Sequence, residues 1–140
     1  MRTIKFRAKR LDNGEWIYGD YHHRAGNVHC IIKMEPDDNG KVCYIVHQVN
    51  AETVGQFTGM HDKNDKEIYE GDIVKWVMAQ MIVNEDGGYA EYHSDEIGAV
   101  EWCNEALYVG EYCAIGFEYE SEDYAEVLGN IHDNPDLLNE

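Results

Sequence analysis

Glu70 and Asp72 flank Gly71 near the middle of the chain, and two acids so close could divide the roles of general acid and general base. That chemistry also needs a nucleophile or a site for developing negative charge, and no neighbouring residue offers either. Just upstream, Asp62-x-Asn64 could open a calcium loop. The spacing then fails, because Lys66 falls on a ligand position, Glu67 stands where the sharp turn needs glycine, and no glutamate closes the loop. His22, His23, His29, Cys30, Cys43 and His47 have the donor types for zinc. Zinc takes four tetrahedral ligands, usually in close pairs such as C-x2-C. Here the tight pairings are His29-Cys30, which point to opposite faces of a strand, and Cys43-x3-His47. Cys43 and His47 could also make a nucleophile–base pair, but nothing marks one cysteine as activated. The expectation is no catalytic residue, no metal and no cofactor: the chain is not read as an enzyme.

What remains for Gly71 and its acidic neighbours is to shape the backbone. Within residues 53–76, Thr53, Val54, Phe57 and Thr58 suit one half-buried strand, and Ile68, Tyr69, Ile73, Val74 and Trp76 suit another. Asp62-Lys63-Asn64-Asp65-Lys66 between them is dense in turn formers, which predicts a hairpin. Gly71 and Asp72 then mark a sharp change of direction, glycine for its backbone freedom and aspartate for its affinity for backbone N–H groups.

The elements around this stretch are read the same way. Residues 3–10 alternate, with Ile4, Phe6 and Ala8 on one face and Lys5, Arg7 and Lys9 on a solvated face, or on a face that meets the acidic half. Asn13-Gly14 signals a hairpin turn in which both positions accept φ > 0, and residues 15–21 return as the second strand. Residues 28–34 and 41–49 form a second hairpin around the turn formers 35–40. Residues 73–83 form a long strand, or two strands bent near Ala79-Gln80. Residues 85–88 turn the chain, and residues 89–93, 98–102, 106–109 and 114–119 read as short strands, a spacing typical of a barrel or sandwich. Residues 118–126 form an acidic, solvated loop, residues 125–131 a closing strand, and Asn134-Pro135 caps a helical turn docked by Leu137 and Leu138.

Charge excludes one class of function from half of the molecule. Residues 1–75 hold all 11 Lys and Arg against 12 Asp and Glu, whereas residues 76–140 hold no Lys or Arg and 16 acids. Such a field repels phosphate backbones, so nucleic acid is not an expected partner of the C-terminal half. The acidic half could instead attract a basic protein surface, divalent cations or the chain's own N-terminal strand. No apolar run approaches 18 residues, and no charged-then-apolar leader appears, which predicts a cytoplasmic protein with no membrane span and reduced thiols.

Four segments, RTIKFRA at 2–8, TVGQFTGMHDKNDKEIYEGDIV at 53–74, GAVEW at 98–102 and EVLGNIHDNPDLL at 126–138, in this order and spacing resemble the YopX family of phage and prophage proteins. The resemblance implies a mainly β protein: an N-terminal β module (1–52) followed by an SH3-like barrel (53–140) and a short helical turn. It also implies a bacterial host cytoplasm and self-association, and it carries no catalytic set. Asp65 departs from the pattern, standing where a glycine after Asn64 is usual.

The function this supports is a small phage- or prophage-encoded accessory protein that binds a protein partner or itself. Its expected surface gathers Tyr108, Tyr112, Glu118, Tyr119, Glu120, Glu122 and Asp123 with the cations Lys5, Arg7 and Lys9, tyrosine being favoured at interface cores. Asn13, Gly14, Asn64, Asp65, Gly71 and Asp72 are assigned to turns. Two alternatives stay open. One is an acidic decoy, with Glu118, Glu120, Glu122 and Asp123 standing in for phosphates at a nucleic-acid-binding site. The other is nucleic-acid binding through the basic strand of Arg2, Lys5, Arg7, Lys9 and Arg10, an analogy from fold.

Overall fold

The computed structural model describes the backbone of residues 4–103, 106–110, 112–113 and 125–139, and their side chains except those of 77–82, 91–94, 103, 106–107 and 112–113. The mainly β class expected from the sequence is what the chain adopts, as two antiparallel sheets in the strand orders β4-β3-β2-β1-β5-β6 and β10-β9-β8-β7-β11. The chain divides into two compact units, Met1–Gly59 and Met60–Glu140. Among the described residues no helix is long and apolar enough to cross a membrane.

The first unit holds β1 (Phe6–Lys9), β2 (Trp16–Arg24), β3 (Val28–Pro36), β4 (Val42–Gln48) and the start of β5 (Gly55–His61). Alternation along β1 and β2 sends Ala8 and Ile17, which face each other in register, to one side of the sheet. There they join Ile31 and Val49 in a core flanked by Phe6, Tyr21 and Val54. Gly19 is required by close approach, since a Cβ there would lie 2.4 Å from the Ile32 carbonyl oxygen. The β1–β2 turn differs from expectation at Asn13. Only Gly14 takes a positive φ, 72°, while Asn13 Oδ1 instead accepts from Glu15 N at 2.9 Å. The loop is longer than a two-residue turn, closing between Arg10 N and Glu15 O at 2.9 Å, so a single left-handed residue suffices.

The second unit takes the end of β5, then β6 (Glu67–Tyr69), β7 (Asp72–Val83), β8 (Tyr89–Cys103), β9 (Ala106–Val109), β10 (Tyr112–Cys113) and β11 (Glu126–Asn130), with a 3-10 turn at Pro135–Leu138. Its core is Met60, Ile68, Val74, Val100, Val109 and Ala125, with Trp76, Trp102 and Val127 against it. Among the described residues the sheet is open, with β10 and β11 at its edges, rather than a closed barrel.

Of the two readings of residues 73–83, the single long strand is what forms, with β7 paired in unbroken register with β8 from Ile73↔Ala99 to Val83↔Tyr89. Two expectations are corrected here. Residues 89–93 and 98–102 are likewise one strand, because Ser94, Asp95, Glu96 and Ile97 all find partners on β7 and no Gly or Pro interrupts them. Asn134 stands at the N-cap of the final turn with Pro135 next, as expected, but its side chain makes no cap hydrogen bond. Its Oδ1 accepts from Asn130 N at 3.3 Å and fills the space over Gly129, where a Cβ would lie 2.4 Å away. Leu138 stays 43% exposed and no residue of that turn is buried, so the leucines do not dock it in a core. The segment expected as a strand at 114–119 lies outside the described residues, as do 118–124 of the acidic run.

Candidate contact surface

Two acids of the central stretch, Asp62 and Asp72, are engaged by the backbone. Asp62 is 2% exposed; its Oδ1 accepts from Asn64 N and Lys66 N, both at 2.9 Å, and its Oδ2 accepts from Val127 N at 2.9 Å. Asp65 takes a left-handed φ of 64°, so the hairpin stays tight although a glycine is absent, and Asn64 lies inside that turn. Gly71, at φ 93°, donates to Val100 O at 2.8 Å and accepts from Ile131 N at 2.9 Å, pinning the bend to β8 and to the chain after β11. Asp72 is 1% exposed and accepts from Tyr69 N at 2.8 Å. Glu70 is half-buried; burial, and then the Glu101 charge, push its carboxyl above the ordinary 4.5. Glu70 and Asp72 thus differ in surroundings and role: one stabilises a turn, the other sits beside a like charge.

The histidines and cysteines do not converge either. Cys43 and His47 lie four residues apart on the single extended strand β4, a span of roughly 13 Å. Cys43 Sγ donates instead to Lys41 O at 3.6 Å and lies 3.8 Å from Asp37 Oδ2. His23 stacks on His29 at 4.2 Å, and His29 Nδ1 is 2.6 Å from the Tyr21 hydroxyl. Among the described residues no three His, Cys, Asp or Glu side chains are placed to share a metal ion.

Of the expected contact residues, Lys5, Arg7 and Lys9 do share one face of β1, interleaved with aromatic rings. Lys5 Nζ lies 5.5 Å from the Phe57 ring, the Arg7 guanidinium 4.7 Å from Trp16, and Lys9 Nζ 5.4 Å from Trp16. Arg7 departs from the solvated face expected of it, being only 6% exposed. Trp16 across from Lys9, and Phe57 beyond β1, provide the cover that alternation alone does not reveal. Tyr108 is half-buried on β9, opposite Glu101. Tyr112 is placed by its backbone in β10, opposite Val109. Glu118, Tyr119, Glu120, Glu122 and Asp123 lie outside the described residues.

A second surface is not apparent from the sequence. In the β3–β4 hairpin Ile32 faces Val46, Met34 faces Tyr44 and Pro36 faces Val42, so these side chains share the face opposite the core residue Ile31. Met34 is 58% exposed, Val42 57%, Tyr44 72% and Val46 44%. β4 carries no Asp, Glu, Lys or Arg and forms the outer edge of its sheet. A wet sheet face ordinarily alternates to polar residues, and a contiguous apolar one marks a contact. The signal present in the sequence was alternation in VCYIVHQ; what was missing was the register that lines it up with Met34.

With this geometry in hand, comparison with known proteins places the chain. A search of curated proteins finds no match. Among solved structures it is similar to the crystal structure of protein EF1440 from Enterococcus faecalis, with a TM-score of 0.60 and 18% identity over 99% of each chain, a likeness of fold. The family model described as YopX protein matches residues 5–139, and on that near-complete match the chain belongs to the YopX family.

Proposed function

We propose that the protein works by contact, as a non-enzymatic module that binds a protein surface, copies of itself included, through the apolar face of the β3–β4 hairpin. The observation that carries this is the cluster of Met34 on β3 with Val42, Tyr44 and Val46 on the uncharged edge strand β4, all more than two-fifths exposed on one sheet face. Supporting it, Asp62 and Asp72 hold turns and the cations Lys5, Arg7 and Lys9 lie over Trp16 and Phe57, an arrangement suited to packing. The family resemblance adds the setting: a phage- or prophage-borne accessory protein in the cytoplasm of a bacterial host.

The test is purification of the tagged full chain from a bacterial host, as wild type and as the double variant Met34→Glu/Val46→Glu. Wild type is expected to retain a stoichiometric protein, another copy or a different chain, that the variant loses. A wild type recovered alone and strictly monomeric would overturn the reading.

A further inference from the structure

We infer that the occupant of this surface is a second copy of the chain, paired antiparallel along the open edge of β4 about a two-fold axis at Tyr44. The inference rests on the contact function proposed above and names its partner.

The backbone fixes the register. Val49 N donates to His29 O at 2.9 Å, which sets the phase of the β3–β4 ladder. Counting back along an antiparallel pair, His47, Ile45 and Cys43 bond inward to β3, while Gln48, Val46, Tyr44 and Val42 direct N–H and C=O away from it. Gln48 is already engaged, its carbonyl accepting from Leu11 N at 3.0 Å. Among the described residues, Val42, Tyr44 and Val46 are left to serve an incoming strand. The antiparallel register that uses only these three sets Val42 opposite Val46 of the second copy and Tyr44 opposite Tyr44. It therefore describes a strand meeting itself, the self-complementary arrangement that a two-fold interface requires.

Side chains and charge favour the same partner. The residues with outward backbone groups are the ones with exposed apolar side chains, so pairing merges two small patches into one face running through both copies. A chain of net charge −17 can approach its copy only through its least acidic surface. The first unit carries 8 Lys and Arg against 7 acids, the second 3 against 21. In this register Lys41 of the second copy lands opposite His47, in the pocket that Asp12 lines with Leu11, Val46 and Gln48.

Sedimentation of the full chain from micromolar to submillimolar concentration tests this. Wild type is expected to dimerise, and Tyr44→Phe to dimerise as wild type does. Tyr44→Lys, which opposes two like charges at the axis, should weaken the dimer by about tenfold or more. Val42→Lys gives the same answer should Tyr44→Lys fail to fold. Val83→Lys, at a 63% exposed apolar site of the second unit, should change nothing. Dimers that persist in folded Tyr44→Lys and Val42→Lys would overturn the β4 pairing while leaving the contact function standing. A monomeric wild type at every concentration would also overturn the pairing, and the contact function would then have to be met by a different protein.

Discussion

The carboxylate of Asp62 accepts a hydrogen bond from Val127 N at 2.9 Å across 65 positions of sequence. Its other oxygen holds Asn64 N and Lys66 N, so one buried side chain both closes the β5–β6 turn and ties it to β11. Asp62→Ala leaves three backbone donors without their acceptor and is expected to cost about 2–4 kcal/mol. Asp62→Asn, which keeps one oxygen, should cost less. Urea unfolding measures both, and a loss under about 0.5 kcal/mol for alanine would contradict this role.

Gly98 faces Gly110 so closely that a Cβ on Gly98 would lie 2.8 Å from the Gly110 backbone nitrogen. Backbone cannot swing aside as a side chain can. Gly98→Ala is expected to destabilise by about 2 kcal/mol or more. Gly88→Ala, whose Cβ would find its nearest neighbour 4.0 Å away, serves as the control and should have little effect on the thermal midpoint.

Asp65 adopts φ 64° without being glycine. Left-handed backbone costs an L-residue roughly 1 kcal/mol, part of which glycine returns as unfolded-state entropy. Asp65→Gly should therefore raise stability by about 0.5 kcal/mol, read as a higher denaturation midpoint. A lower one would mean that the aspartate side chain supports the turn.

Glu70 gives the fold a pH dependence of definite sign. Burial and the Glu101 charge raise its folded carboxyl above the ordinary 4.5, so the ionised form is disfavoured in the native state. The resulting penalty is present above the raised value and is relieved as pH falls through it toward 4.5. Glu70→Gln should stabilise the protein at neutral pH and flatten this part of the curve. Glu101→Gln should act in the same direction, more weakly. An unchanged curve in both would contradict the pairing.

Local chemistry made much of this fold legible from the residues alone. Alternation in β1, the Asp62–Lys66 turn, the bend at Gly71-Asp72 and the strand before Asn134 all follow from propensities acting over a few positions. Where partners decide, sequence reading fell short. Ser94–Ile97 look like a turn until β7 lies alongside, with Lys75 Nζ 3.7 Å from Asp95 Oδ2. Arg7 looks solvated until Trp16 and Phe57 cover its face. The contact surface was hidden for the same reason. Met34 and Tyr44 are ten residues apart in sequence, and only cross-strand register makes them neighbours.

Amide hydrogen exchange along β4, resolved residue by residue as concentration is raised, bears most directly on the claim that this protein functions through its edge strand. The account expects the inward amides of Cys43, Ile45 and His47 to be protected at every concentration. Those of Val42, Tyr44 and Val46 should exchange freely in dilute solution and become protected as copies pair. Outward amides that stay unprotected at concentrations where the protein is dimeric would contradict it.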